Sequence, residues 1–535
     1  MQLAQAFQAS NWCFGDQKAA RIKLHFVTWT SRRGPIRSRA GKTDDNDAGK
    51  NCAMAAKATA SRAVAKAPTG LSGLDTVLNG GVPRGRNTLV IGGPGSGKTL
   101  IGMEFLLRGA RDFDEPGICM SFEETEPQLT SNVASLGHNL DALVRAGKLL
   151  VDYVYIERKE IEETGEYDLE GLFIRLEHAI KRIKAKRVLL DTIEVLFSGL
   201  GNEAILRAEL RRLFRWLSDH GLTAMVTAER GSGALTRYGL EEYVADCVLL
   251  LDHRVNGQVS TRRLRVVKYR GSAHGTDEYP FLIDQKGISV FPITSLGLTH
   301  QARSERVSSG VAGVDNMLGK QGFYRGSSIL VTGTAGTGKS SFASFFANSA
   351  CARGERCLYF AFEESPSQIL RNMRSVGLNL EKWMKRGLLR INAVRPTSTG
   401  LEGHLAAMYK LITDYKPSVV VIDPITNLIS IGESVAVKAM LTRMIDFLKM
   451  EGITALFTNL TLEGTMEQTA IGISSLMDSW VLLRDVERGE ARRRVLYLLK
   501  SRGMAHSNRM VEFELSERGI TLHNDGLALQ QRTSA

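Results

Sequence analysis

An α/β protein made of two tandem repeats, each a parallel-sheet core with helices on both faces, is predicted by three observations. The phosphate-loop pattern occurs twice, as Gly92-Gly93-Pro94-Gly95-Ser96-Gly97-Lys98-Thr99 and as Gly333-Thr334-Ala335-Gly336-Thr337-Gly338-Lys339-Ser340. Continuous apolar runs such as Val419 to Ile422 alternate with amphipathic helical patterns, Ile205 to Leu217 and Val435 to Leu448, as expected of strands buried on both faces. The landmarks around the two loops also recur in the same order, so each half reads as one unit.

In each half a β-rich run, Asn87 to Ile91 or Ser328 to Thr332, feeds the loop, and a helical pattern, Leu100 to Leu107 or Ser341 to Ala347, leaves it. That context suits a phosphate cradle. The glycines turn backbone N–H groups toward phosphate oxygens, the helix adds its positive dipole end, Lys98 or Lys339 adds a point charge, and Thr99 or Ser340 can ligate magnesium. Glu123-Glu124 and Glu363-Glu364 each follow an apolar strand at nearly the same interval beyond the loop lysine. A carboxylate there can orient and deprotonate an attacking water or hydroxyl, so Glu123 and Glu363 are read as bases, supported by Glu124 and Glu364. Two further strands end in an acid, Asp191 and Asp423, positions suited to holding magnesium through water. The last echo pairs Lys268-Tyr269-Arg270-Gly271-Ser272-Ala273-His274 with Lys500-Ser501-Arg502-Gly503-Met504-Ala505-His506. If nucleotides sit between subunits of a ring, Lys268 with Arg270, and Lys500 with Arg502, are the cations a neighbour would contribute to the γ-phosphate. His274 and His506 are then placed on the ribose side, with a purely structural histidine an equal alternative.

Composition narrows the class. The formal charge is +12, but residues 1–66 carry twelve Lys/Arg against four Asp/Glu, so the repeats themselves are nearly neutral and argue only weakly for nucleic acid. That basic stretch lacks periodicity and a secretory pattern; it reads as disordered or, by preference, as lying upstream of a start at Met54. Six cysteines without metal-ligand or disulfide-framework spacing fit a reducing cytoplasm, and no apolar run is long enough to span a bilayer. The expected division is an extension over 1–66, an ATPase domain over 67–295, a linker over 296–307, a second domain over 308–523 and a tail over 524–535.

The tandem loops, both Phe-Glu-Glu pairs, the segment Gly239-Leu240-Glu241-Glu242-Tyr243-Val244-Ala245-Asp246 and both Lys-x-Arg-Gly-x-x-His segments resemble, as a set, the KaiC family of RecA-like clock ATPases. The resemblance covers about residues 67–523. It implies a homohexameric ring in two tiers, an N-terminal ATPase tier, and a C-terminal tier with Ser/Thr autokinase and autophosphatase activity, using ATP and Mg2+. Aligning Asp246 with Asp478 sets Glu242 and Tyr243 opposite Ser474 and Ser475, so the resemblance carries the phosphosites onto these two serines, with Thr469 at a third family hydroxyl. Ala470 replaces the acid expected beside Thr469. The short stretch after Gly519 departs from the KaiA-binding tail, so KaiA is not expected as a partner, whereas Tyr155 to Glu163 before Asp168-Leu169 occupies the KaiB-binding region and keeps a KaiB-like partner open. Two other function classes share this core: a RecA/RadA-like DNA-dependent ATPase and an ATP-binding scaffold. Thr461 to Ser475 contains Glu463 and Glu467 and no Lys or Arg, against the basic channel loops of a DNA motor, while Glu123 and Lys268 count against an inert scaffold.

Overall fold

The computed structural model describes residues 64–154, 169–197, 203–231, 235–236, 239, 244–256, 259–292, 303–461, 472–488 and 491–523. Glu241, Glu242, Tyr243, the Tyr155 to Asp168 segment, Glu463, Glu467, Thr469 and Ala470 lie outside the described residues, as do 1–63, most of the expected linker and the tail.

Strands β1 (Lys66–Ala67) and β2 (Val82–Pro83) pair antiparallel, which brings Lys66 into the first half, one residue before the expected boundary. The remaining strands of that half are β3 (Asn87–Gly92), β4 (Gly117–Ser121), β5 (Leu149–Tyr153), β6 (Arg187–Asp191), β7 (Thr223–Glu229), β8 (Cys247–Asn256), β9 (Val259–Tyr269), β10 (Glu278–Asp284) and β11 (Gly287–Val290). Among the described residues they form one nine-stranded sheet in the order β11-β10-β9-β8-β3-β7-β6-β4-β5. Strands β8 to β5 in that order run parallel, while β9, β10 and β11 continue the sheet antiparallel.

The second half repeats this with β12 (Arg306–Val307) and β13 (Phe323–Tyr324) as the small pair. Its large sheet holds β14 (Ser328–Gly333), β15 (Cys357–Ala361), β16 (Leu389–Ala393), β17 (Val419–Asp423), β18 (Thr454–Leu460), β19 (Ser479–Arg488), β20 (Ala491–Ser501), β21 (Val511–Ser516) and β22 (Gly519–His523). The order is β16-β15-β17-β18-β14-β19-β20-β21-β22. The sequence expectation of a parallel sheet therefore holds for six strands of each half, and the antiparallel wing is an addition to it. Each wing is built from strands consecutive in sequence, whose connections are shorter than the dozen or so residues a parallel crossover needs.

The longer helices are α1 (Lys98–Asp112), α2 (Glu170–Ile183), α3 (Glu203–Asp219), α4 (Lys339–Ala352), α5 (Leu401–Tyr415) and α6 (Ser434–Met450). In the first half, Ile101, Phe105 and Leu106 of α1 pack on one face of the sheet, and Leu176 of α2 with Leu210, Leu213 and Leu217 of α3 pack on the other. The second half has the same two-faced core, but one of its members comes from elsewhere. Phe291, just past β11, is buried among Leu405 and Met408 of α5 and Met444, Phe447 and Leu448 of α6, with its ring edge on Tyr409 at 5.3 Å. Lys286 reaches Asp414 at 3.1 Å, Lys410 pairs with Asp284, and Glu402 accepts from Arg443 at 2.6 Å with Arg263 at 3.8 Å. Helix α5 of one half is thus seated on β9 and β10 of the other.

Candidate active sites

Both phosphate loops leave the carboxyl ends of their strands and enter α1 or α4 through a left-handed glycine, Gly97 at φ 102° and Gly338 at φ 95°, a conformation that favours glycine. Parallel register brings the acids to the same edge, where open α/β sheets bind ligands. Ser121 stands opposite Asp191 and Ala361 opposite Asp423, and the N–H groups of Phe122 and Phe362 donate to the Asp191 and Asp423 carbonyls at 2.8 and 2.9 Å. The glutamate pairs therefore emerge beside the strand-end aspartates in both halves.

In the first site Lys98 Nζ donates to the carbonyls of Gly92 and Gly93 at 2.9 and 3.2 Å. Asp191 is buried and accepts from the hydroxyls of Thr227 and Thr99. Burial pushes its carboxyl above the usual carboxylate range, those hydrogen bonds and Lys98 oppose the rise, and Glu123 adds to it. Glu123 is exposed and accepts from Thr192 Oγ1 at 3.1 Å. Glu124 is held from behind by Asn132 at 3.1 Å, and its carboxyl is pushed up by burial and by the Asp191 charge.

The second site follows the same plan. Lys339 donates to the Thr334 carbonyl at 2.7 Å; burial lowers its ammonium pKa, against the pull of Asp423 and Glu363. Asp423 accepts from the Tyr359 hydroxyl at 2.6 Å and from Thr458. Glu363 is exposed, and Asn372 holds Glu364 at 3.3 Å. In both halves one glutamate is anchored and the other faces outward, an arrangement able to take a proton from a water or hydroxyl.

Several features fit a triphosphate. A Cβ at Gly93, Gly95 or Gly336 would meet nothing within 4 Å, so the backbone curves around open space. Ser96 Oγ is buried with no hydrogen-bond partner among the described residues. Each loop lysine stays over its own loop, donating to loop carbonyls. The hydroxyl and carboxylate of Thr99 with Asp191, and of Ser340 with Asp423, are the hard oxygen donors magnesium takes, and when bound the ion would neutralise phosphate charge.

Lys268, Arg270, Lys500 and Arg502 lie elsewhere. Lys268 pairs with Val248, which is level with Leu89, and Lys500 pairs with Trp480, which is level with Leu330. Each is about 10 Å short of its own loop along the strands and two strands, about 10 Å, to the side. Arg270 and Arg502 continue past the amino edge, donating their N–H groups to Asp246 and Asp478 carbonyls at 2.8 Å. His274 and His506 are at that edge too, with Nδ1 at 3.5 Å from the Ser272 carbonyl and 3.2 Å from the Met504 carbonyl. His274 also lines a cleft of about 640 Å³ with Asn79, Tyr279, Phe291 and Tyr409. Ser474 and Ser475 occupy a turn before β19, Ser474 half-buried and Ser475 exposed.

Two buried charged groups of the first half escaped the sequence reading, one beside the site and one at the far end of the Asp191 strand. Glu194 is buried and accepts the Glu229 N–H at 2.5 Å; its place in the second half is taken by Thr426. Only its position three residues after Asp191 could have signalled it. Arg187 opens the Asp191 strand yet is fully buried, paired with Glu115 at 2.6 Å and stacked on Phe105 at 4.5 Å.

A family model described as "ATPase: KaiC" matches residues 67–295 and again 307–526. The chain belongs to the KaiC ATPase family. It is similar to circadian clock protein KaiC2 of Synechocystis sp., 55% identical over 461 residues covering 85% of this chain and 81% of that protein. It is also similar to the circadian clock oscillator proteins KaiC of Synechococcus elongatus, 39% identical over 86% of this chain and 89% of that protein, and of Parathermosynechococcus lividus, 38% identical over 86% of each. As a member of an ATPase family the chain has ATP as its implied nucleotide, and each matched segment contains one of the two phosphate-loop patterns. Among the described residues no helix is long and apolar enough to cross a membrane.

Proposed function

We propose that the protein is a cytoplasmic KaiC-like ATPase and Ser/Thr autokinase and autophosphatase, working with Mg2+ as a homohexamer whose phosphorylation state signals timing or stress status. Residues 67–295 form the hydrolysing tier, with Glu123 as base, and residues 308–523 the self-phosphorylating tier. In the second tier the oxygen of Ser474 or Ser475 forms the new bond to the γ-phosphorus. The bond to the β-phosphate oxygen breaks, ADP leaves, and the hydroxyl proton passes to Glu363 of the partner subunit.

The observation that carries this reading is the separation of each cation pair from its own phosphate loop. Lys500 sits level with the middle of β14 and two strands to its side, and Arg502 at the amino edge, while Lys339 follows the carboxyl end of β14, too far for one chain to complete its own site. Shared sites between copies solve that, and they set the acceptor serines beside a partner's nucleotide. The segment Tyr155 to Glu163, at the position of the family's KaiB-binding region, supports a KaiB-like partner. A DNA motor is not favoured, since the repeats are nearly neutral.

The test is to incubate purified protein with Mg-ATP, follow size by light scattering, measure ADP release and map phosphosites in one sample. A hexamer with phosphate on Ser474 and Ser475 is expected, and the phosphate should vanish in Glu363→Gln with Glu364→Gln. A monomer in saturating Mg-ATP, or phosphate only elsewhere, would overturn the shared-site autokinase.

A further inference from the structure

The turn that presents the two serines is gripped by the same basic pair. Lys500 Nζ donates to the Ser474 carbonyl at 3.0 Å, and Arg502 Nη2 donates to the Ser475 carbonyl at 2.6 Å. Behind the turn, the Asp478 carboxylate accepts from the backbone N–H and the hydroxyl of Ser328 at 2.9 Å each and pairs with Lys449 at 2.8 Å. The Asp478 N–H returns to the Ser328 carbonyl at 2.9 Å. Ser328 is the first residue of β14, the strand that feeds the second phosphate loop. The turn is therefore fixed at its far end to the sheet and at each serine to one separate cation.

We infer that Lys500 and Arg502 are specificity-determining residues that decide which serine accepts the phosphoryl group, Lys500 setting Ser474 and Arg502 setting Ser475. The inference rests on the autokinase reading above. Pinning a residue's carbonyl fixes its ψ, and with ψ fixed the serine hydroxyl has only its few staggered rotamers left. Phosphoryl transfer depends on in-line placement, where an error near 1 Å costs on the order of a hundredfold. In the shared site of that reading, a cation that holds the acceptor's carbonyl and offers its remaining donors to a partner's γ-phosphate would measure the distance between acceptor and donor. Each serine has its own such measure, so the two should respond separately.

The experiment uses the full chain with Mg-ATP and the charge-keeping variants Lys500→Arg and Arg502→Lys, which leave a cation for the γ-phosphate but change its reach. Fragmentation of the Ser474–Ser475 peptide gives the ratio of the two phosphosites. Arg502→Lys should lower the Ser475 share relative to Ser474 by about threefold or more, the scale of one weakened hydrogen bond, and Lys500→Arg should move the ratio the other way. Asp478→Asn, which loosens the common anchor and also removes the carboxylate 3.9 Å from Arg502, should lower both. An unchanged ratio, or equal loss from both serines in the charge-keeping variants, would assign the pair to the γ-phosphate alone and overturn the inference while leaving the autokinase intact. Wild-type protein without phosphate on either serine would overturn the autokinase reading and this inference together.

Discussion

Replacing Glu104 by alanine should destabilise the first half far more than its modest size suggests, and the second half shows why. Glu104 lies on α1, the helix that leaves the first phosphate loop, and its side chain is 1% exposed. It accepts from Arg108 Nε at 2.8 Å and from the Ile288 N–H at 2.8 Å, with His138 Nε2 at 3.5 Å. Gly287 must be glycine for this approach, since a Cβ there would sit 2.2 Å from the carboxylate. Burial alone would raise the carboxyl pKa, but the contacts with His138, the Ile288 N–H and Arg108 outweigh it and hold it below the usual range. Removing the acid leaves a largely buried guanidinium and a backbone donor without their partner, a change that costs about 3–5 kcal/mol. For a unit of this size that corresponds to a fall of about 6–20 °C in the calorimetric transition of the first half. At the equivalent positions the second half has Phe345, Ser349 and Leu378, with the Phe345 ring against Gly519. Glu104→Phe with Arg108→Ser and His138→Leu should therefore recover most of the loss. The pH dependence has a definite sign. A carboxyl held below its unfolded value of about 4.3 stabilises fully above that pH and loses its contribution as pH falls through the folded value, so wild type and Glu104→Ala should converge in acid. A wild-type-like transition for Glu104→Ala at pH 7, or a triple variant no better than the single one, would refute the argument.

Glu123→Gln with Glu124→Gln should cut steady ATP hydrolysis by about 10²–10⁴-fold while phosphate still accumulates on Ser474 and Ser475; ADP release and intact mass read the two activities separately. Phe291→Ala opens a void in the core of the half to which Phe291 does not belong in sequence. It should destabilise the second half by about 3–5 kcal/mol, seen as a shift of that half's unfolding transition.

What the sequence disclosed and what it hid divide along a physical line. The phosphate loops, the glutamate pairs and the strand-end aspartates are local signals, each made by neighbours in the chain whose spacing fixes their chemistry. The placement of Lys268 and Lys500 away from their own loops is a matter of strand register, and no local pattern states register between β3 and β9 or between β14 and β20. The antiparallel wings were hidden for a related reason. The strand pattern of β8 and β9 is compatible with either direction, and the short connection between them decides it. Arg187 was concealed by the company it keeps: at the head of Val188-Leu189-Leu190 it reads as a charge at a strand end. Only the contacts with Glu115 and Phe105 reveal a buried cation.

The two halves keep the fold and exchange the means of holding it. Where the first half locks its loop helix to β11 with a buried acid, a guanidinium and an imidazole, the second fills the same space with an aromatic ring, an aliphatic side chain and a hydroxyl. Where the first half adds the buried Glu194 beyond Asp191, the second has Thr426, which donates to Asn459 at 3.0 Å. The β10–β11 hairpin carries the first half's lock on one side and, on the other, Asp284 and Lys286 against α5, whose chain continues into β17 and Asp423. The β10–β11 hairpin is thus a direct neighbour both of Glu104 and of the helix that precedes β17.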